Sequence, residues 1–324
     1  MTLGYFVPRA SHAEDVERTV SFYDRFPVIH GLYRDISRWT GLSVSQILTD
    51  GIPTDENGLR NSLLGVRSIA AQLAVCDVLA EAGIRPGALL ALSQGITSAS
   101  AMAGALDRRA MFEMLWYQRN VPQPDPDGPA EAVAFCHVEP GDDPERYYGS
   151  HREGVWAATD FGPQPDGAGR NIIISGYKTA IEELAAAEPA NVMTWWTRGT
   201  SALHSPLRQP SSDYMKSYLA DIEFRDPVIP LAGCLTPTLL ATGDDVRDAI
   251  WRNWVRPASL PYGIAEMVRV GVKLLIAPGP SMLDEHLGLI SFPFPVLSVR
   301  EPSDIEVAVA KVEELGIGFV STHS

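Results

Sequence analysis

Cysteine is scarce: Cys76, Cys136 and Cys234 are the only three among 324 residues, and no two stand in a C-x-x-C pair. That excludes a disulfide framework and points to buried small hydrophobes in a reducing compartment. Basic residues are also short, because 26 Lys+Arg against 40 Asp+Glu leave a net charge of −14. A general nucleic-acid binder needs the opposite surplus. The N-terminal stretch has no charged start followed by an apolar run, so no signal peptide is expected. The apolar stretches are broken short of the ~18 residues that a membrane span needs. No fixed-period repeat is visible, and no cluster of metal-ligating residues stands out. With 45% hydrophobic and 20% charged residues, the expectation is a cytoplasmic protein with a large core and no metal.

The remaining pattern alternates strands and helices, which predicts an α/β fold with a mainly parallel sheet. Two Pro/Gly-rich stretches, Val121–Pro129 and Phe161–Gly169, read as loops, the first as a subdomain boundary. Before it, helical spacing covers Ser62–Ala82, with Gly83 as a stop. A buried strand is expected at Ala88–Leu92, then helices at Ile96–Leu106 and Asp107–Arg119. Between the boundary and about residue 200 come strands at Glu131–Val138 and Asn171–Ser175 and a helix at Lys178–Ala187, a small inserted α+β subdomain. Helices at Asp244–Trp254 and Ile264–Val270 and a strand at Lys273–Ala277 return to the large unit.

The chemistry concentrates at Leu90-Ala91-Leu92-Ser93-Gln94-Gly95. A strand that runs into a helix through so tight a turn exposes the serine and demands small neighbours, here Ala91 and Gly95. The Gln94 amide then faces a developing oxyanion at a helix N-terminus; the plainer alternative is a helix-capping serine. A nucleophilic serine needs a base. Of seven histidines, His204 stands out, in Ser201-Ala202-Leu203-His204-Ser205-Pro206-Leu207.

Taken together, these residues resemble the malonyl-CoA:acyl-carrier-protein acyltransferase family. The likeness rests on the helix, Pro-Gly turn, strand and elbow of Ala71–Leu106, on His204 followed by Ser-Pro-Leu, on Ile172–Lys178, and on Gly279-Pro280-Ser281-Met282-Leu283. It spans about residues 60–290. The fold it implies is an α/β-hydrolase-like large domain (1–126 and 200–324) with an inserted ferredoxin-like small domain (127–199). It also implies Ser93 as nucleophile, His204 as base, backbone oxyanion donors at Gln94 and Ala10 (or Arg9), and Asn253 as the residue that orients His204. No cofactor is implied beyond the phosphopantetheine of coenzyme A or of an acyl carrier protein, which is the implied partner.

The departures from that family concern the substrate. The family's His before the nucleophile is Leu92, its following Glu is Ile96, and its N-terminal G-Q-G-S-Q is replaced by Pro8-Arg9-Ala10-Ser11. Its carboxylate-binding Arg, about 25 residues past the nucleophile, falls on Gln118, which cannot neutralise a buried carboxylate. Arg119, about 100° round a helix from Gln118, is no simple substitute. Leu203 stands in the acyl-selecting tetrapeptide. The expected acyl pocket is therefore Gln118, Leu203 and Leu92, for a group without a free carboxylate: acyl, aminoacyl or peptidyl. Trp116, Tyr117, Trp195 and Trp196 are candidates for the cleft or for the core. Arg152, Arg208 and Arg300, with Arg146 and Arg198, are candidates for a basic rim toward the carrier. The leading expectation is an acyltransferase of polyketide-type or other secondary metabolism. A hydrolase that clears stalled carrier proteins is the alternative; a malonyl transferase and a non-catalytic carrier-binding scaffold follow.

Overall fold

The computed structural model describes residues 2–8, 16–53, 57–165, 167–189, 192–195, 201–279, 281 and 287–317. Its strands are β1 (Thr2–Val7), β2 (Ala88–Ala91), β3 (Glu131–Val138), β4 (Val155–Pro163), β5 (Arg170–Tyr177), β6 (Met193–Trp195), β7 (Leu231–Gly233), β8 (Ala258–Ser259), β9 (Val272–Pro278) and β10 (Val296–Val299). Its helices are α1 (Val16–Arg25), α2 (Pro27–Thr40), α3 (Val44–Leu48), α4 (Asn57–Glu81), α5 (Gly95–Met102), α6 (Arg108–Tyr117), α7 (Lys178–Ala187), α8 (Gln209–Leu219), α9 (Gly243–Arg252), α10 (Leu260–Val270) and α11 (Asp304–Glu314).

The first sheet has the order β10-β9-β1-β2-β7, with every neighbouring pair parallel. Its central strands are buried on both faces, so they read as continuous apolar runs rather than alternating ones. The second sheet has the order β6-β3-β5-β4-β8. Here β3 alternates half-buried and buried residues, with Ala132, Ala134, Cys136 and Val138 turned inward. Among the four inserted strands the order is fourth, first, third, second, with antiparallel neighbours, as in a ferredoxin-like unit. Helix α7 joins β5 to β6, and two short 3-10 turns stand between β3 and β4 where that pattern has its other helix.

Strand β8 comes from the later part of the chain and pairs in parallel with β4 at the outer edge of the small sheet. It follows Arg256 and Pro257 directly, so it anchors the segment that carries them.

Helix α4 is a core helix. Contrary to the expectation that every apolar stretch is broken short of a span, its stretch from Gly58 to Glu81 is long and apolar enough to cross a membrane, but 83% of an 18-residue apolar part of it is buried inside the fold. It stops at Gly83, whose φ of 80° suits glycine. The expected loop Phe161–Gly169 is shorter than predicted, since β4 runs on to Pro163 opposite Arg170. The register shifts between Asp160 and Gly162, and a bulge of this kind accommodates a proline at a strand's last residue. The three cysteines are free and buried, and burial pushes the thiols of Cys136 and Cys234 up to about 12.

Candidate active site

Ser93 sits two residues past β2, at the C-terminal edge of the parallel sheet, the position at which open α/β sheets bind ligands. Its φ is 54°; His204 has φ 57°, and these are the only non-glycine residues with positive φ among those described. Left-handed backbone costs a non-glycine residue about 1 kcal/mol or more and persists only where the surroundings impose it. The two strained residues face each other, with Ser93 Oγ 2.9 Å from His204 Nε2.

Main-chain contacts form the elbow. Leu92 N–H donates to Val7 O at 3.0 Å, Gly95 N–H to Leu92 O at 3.0 Å, and Ile96 N–H to Ser93 O at 3.1 Å. No hydrogen bond within the described residues takes up the Gln94 N–H at the head of α5. A Cβ on Gly95 would lie 1.7 Å from Val7 O, so this position admits only glycine without rearrangement. Below the turn, the buried Gln72 of α4 reaches Pro8 O at 3.3 Å through Nε2 and accepts from Ser98 Oγ at 2.5 Å. It thereby ties the end of β1 to α5. Sequence reasoning missed Gln72, which looks like one more residue of a long apolar helix.

His204 is buried, and its Nδ1 lies 2.9 Å from the carbonyl oxygen of Arg256. A carbonyl only accepts, so Nδ1 carries the proton and Nε2 presents its lone pair to the Ser93 hydroxyl. The orienting acceptor is thus a main-chain atom of Arg256, not Asn253, which caps α9 three residues earlier. A backbone oxygen leaves no residue-type signal to read in a sequence.

The loop before His204 is held from the small sheet. Ser175 Oγ on β5 donates to Leu203 O at 2.8 Å, and Glu131 Oε2 on β3 accepts from Ala202 N–H at 2.7 Å. Glu131 Oε1 also accepts from the Arg208 guanidinium, and each side chain is only 7% exposed. Arg208 is therefore a buried ion-pair partner and not part of a surface rim.

His204 lines a cavity of about 640 Å³ together with Tyr148 and Trp156 from the small unit, Trp251 and Arg252 from α9, and Arg256. Trp251 lies under two cations, Arg252 and Lys216, each 5.0 Å from its ring. Arg152 stands three residues beyond cavity-lining Gly149, with its Nε on Arg146 O. Arg300 lines a different cavity, of about 450 Å³, that shares no residue with the one at His204. Among the described residues, the arginines that line the cavity at His204 are Arg252 and Arg256, which the sequence did not single out.

The pocket candidates separate in space. Leu92 is buried in the core with Phe6, Leu90 and Phe161 and does not line the cavity at His204. Gln118 is half-buried at the C-terminal cap of α6, and Leu203 is half-buried beside His204. Arg119 is exposed and turned onto Trp116, with its guanidinium 4.5 Å from the ring and NH1 2.6 Å from the Trp116 carbonyl. Tyr117 stacks on Tyr218 at 4.0 Å and meets Tyr214 hydroxyl to hydroxyl at 2.9 Å, which places it in the α6–α8 contact and not in the cleft. Arg146 pairs with Glu188 and Asp142 within the small unit. Ala10 and Arg9, the side chain of Trp195, and Trp196 and Arg198 lie outside the described residues, as do Pro280, Met282 and Leu283.

No family model matches the chain. Over 246 residues, 74% of its length, it is 24% identical to a component of the phenolphthiocerol/phthiocerol polyketide synthase of Mycobacterium tuberculosis, and it spans 15% of that relative. Over 111 residues, 34% of this chain and 36% of the other, it is 29% identical to the malonyl CoA-acyl carrier protein transacylase of Escherichia coli. An acyl-carrier-protein S-malonyltransferase from Burkholderia pseudomallei superposes with a TM-score of 0.81 at 20% identity, covering 96% of this chain and 100% of that one. A malonyl-transacylase in complex with its type II polyketide synthase acyl-carrier protein gives a TM-score of 0.80 at 19% identity over 96% of this chain and 100% of that one. The chain has the fold of the malonyl-CoA:acyl-carrier-protein transacylases and is similar in sequence to one of them over about a third of its length.

Proposed function

We propose that this protein transfers an acyl group without a free carboxylate to or from an acyl carrier protein, through an acyl-enzyme on Ser93. The observation that carries the proposal is the hydrogen bond of 2.9 Å between two residues that both hold left-handed backbone, Ser93 and His204. In the proposed reaction Ser93 Oγ passes its proton to His204 Nε2 and attacks the thioester carbonyl carbon. The oxyanion is met by the Gln94 N–H, with Ala10 as the proposed second donor. As the carbon–sulfur bond breaks, His204 returns the proton to the departing sulfur. The thiol of the acceptor then repeats the sequence in reverse. The Arg256 carbonyl keeps Nδ1 protonated and steadies the imidazolium that forms between steps. The substrate brings its own phosphopantetheine, so no further cofactor is proposed.

Charge among the described residues of the expected acyl pocket supports the neutral acyl group. Gln118 carries none, Arg119 is engaged with Trp116, and Arg208 is committed to Glu131. A carboxylate buried without a partner is expensive, whereas an apolar or amide-bearing acyl group is not. Arg252 and Arg256 are exposed and line the cavity beside His204, where a phosphate or an acidic carrier face would meet them. Incubation with acetyl, longer acyl and malonyl thioesters, with a free holo carrier protein as acceptor, tests the proposal. Acylated carrier from neutral donors and none from malonyl is expected. Transfer of malonyl alone would contradict the substrate assignment, and release to water without transfer would make the protein a hydrolase.

A further inference from the structure

We infer that Glu131 is a positioning residue for His204, acting from the small sheet through the main chain of the histidine loop. The inference rests on the Ser93–His204 reading above. Its starting point is an oddity: a carboxylate at the start of β3 and a guanidinium just before α8, each 7% exposed, meet. A buried ion pair is weak support for stability, because an apolar pair of similar volume commonly packs as well or better. The Arg208 Nε is buried without a partner, so the pair is not even fully satisfied. The distinctive feature of Glu131 is its second oxygen.

While Oε1 takes the Arg208 guanidinium, Oε2 accepts from Ala202 N–H at 2.7 Å. On the neighbouring strand, Ser175 donates to Leu203 O at 2.8 Å; it is fully buried and lies opposite Val133, two residues along β3 from Glu131. Further along the loop, Ser205 Oγ donates to Ala202 O at 2.6 Å, and Arg208 N–H donates to Ser205 O at 3.0 Å. The peptide groups of residues 202 and 203 are thus gripped from the small sheet immediately before His204 turns left-handed. The Arg256 carbonyl fixes the far side of the ring. With both flanks held, Nε2 stays on Ser93. Arg208 keeps the carboxylate aimed, and the carboxylate holds the loop.

The test uses the full chain and the rate at which a fluorophosphonate probe labels Ser93, a readout that needs the activated serine but no known substrate. Two double variants separate the roles. In Glu131→Gln/Arg208→Gln, an amide oxygen still accepts from Ala202 N–H and the charges are gone. In Glu131→Met/Arg208→Met, volume is kept and the acceptor is lost. The Gln pair is expected to label within about threefold of the parent. The Met pair is expected to lose at least tenfold in maximal labelling rate, with an unchanged half-saturating probe concentration and a similar melting temperature. Equal labelling rates in the two pairs would overturn the inference. Should the Met pair fail to fold, Ser175→Ala decides, since it removes the second grip without touching a charge. A threefold or greater slowing supports the inference, and an unchanged rate overturns it. A parent chain that takes no label at Ser93 overturns the Ser93–His204 reading, and the positioning role with it.

Discussion

Replacing Gly95 by alanine adds one carbon at the tightest point of the elbow. That carbon would lie 1.7 Å from Val7 O, 2.7 Å from Val7 C and 3.2 Å from Pro8 C. Real Cβ contacts are essentially never under 3.0 Å, so α5 and the end of β1 must part by about 1.3 Å. Neither side yields easily. β1 is the middle strand of the parallel sheet, hydrogen-bonded to β2 and β9, and α5 is tied back to α4 through Ser98 and Gln72. Overpacking against backbone on both sides falls at the upper end of its usual range, roughly 3 kcal/mol. At about 2 °C per kcal/mol for a chain of this length, the melting temperature falls by about 6 °C. The larger effect is on Ser93, two residues away: a displacement of about 1 Å in a reacting group costs on the order of 100-fold in rate. Thermal unfolding and fluorophosphonate labelling of the Gly95→Ala chain measure the two effects separately. A variant that melts within about 1 °C of the parent and labels at the parental rate would refute the argument from close approach.

Gln118→Arg supplies a cation at the α6 cap and is expected to raise loading from malonyl thioesters at least tenfold relative to acetyl; an unchanged donor ratio would remove Gln118 from the pocket. Arg252→Glu combined with Arg256→Glu is expected to slow transfer to an acidic carrier protein more than tenfold at low salt, with little change in fluorophosphonate labelling, and the deficit should shrink as salt is raised. At the start of α9, Thr242 and Asp245 form a reciprocal cap, and the hydrogen bonds from Thr242 hold the Asp245 carboxyl below its ordinary range. A depressed carboxyl contributes stability that is present above its unfolded value and lost as pH falls through its folded one. Thr242→Ala should therefore cost about 1 kcal/mol near neutral pH, and that difference should shrink as the pH falls below about 4. A urea-unfolding difference that does not change between about pH 7 and about pH 3 would count against the cap.

The elbow was legible because its signals are local: a short apolar run, a serine, a glycine two residues on, and a helix of small residues. The strand at Glu131–Val138 and the helix at Lys178–Ala187 fall where their patterns predict. β1 escaped notice because its unbroken run of buried residues near a chain end shows no period, and its place in the middle of the sheet depends on pairing with residues as distant as Ala88 and Val272. Arg208 and Arg300 carry the same charge and look alike in sequence. Only tertiary pairing separates the one buried against Glu131 from the one lining an unrelated cavity. The acceptor on His204 is a peptide oxygen, which no side-chain pattern encodes.

The central claim is that Ser93 becomes acylated. Intact-protein mass spectrometry after incubation with neutral acyl thioesters, followed by peptide mapping, measures this directly. The account predicts one added acyl mass per chain, located on Ser93, absent in Ser93→Ala and at least a thousandfold slower to appear in His204→Ala. An acyl adduct on another residue, or one that forms equally in Ser93→Ala, would contradict it.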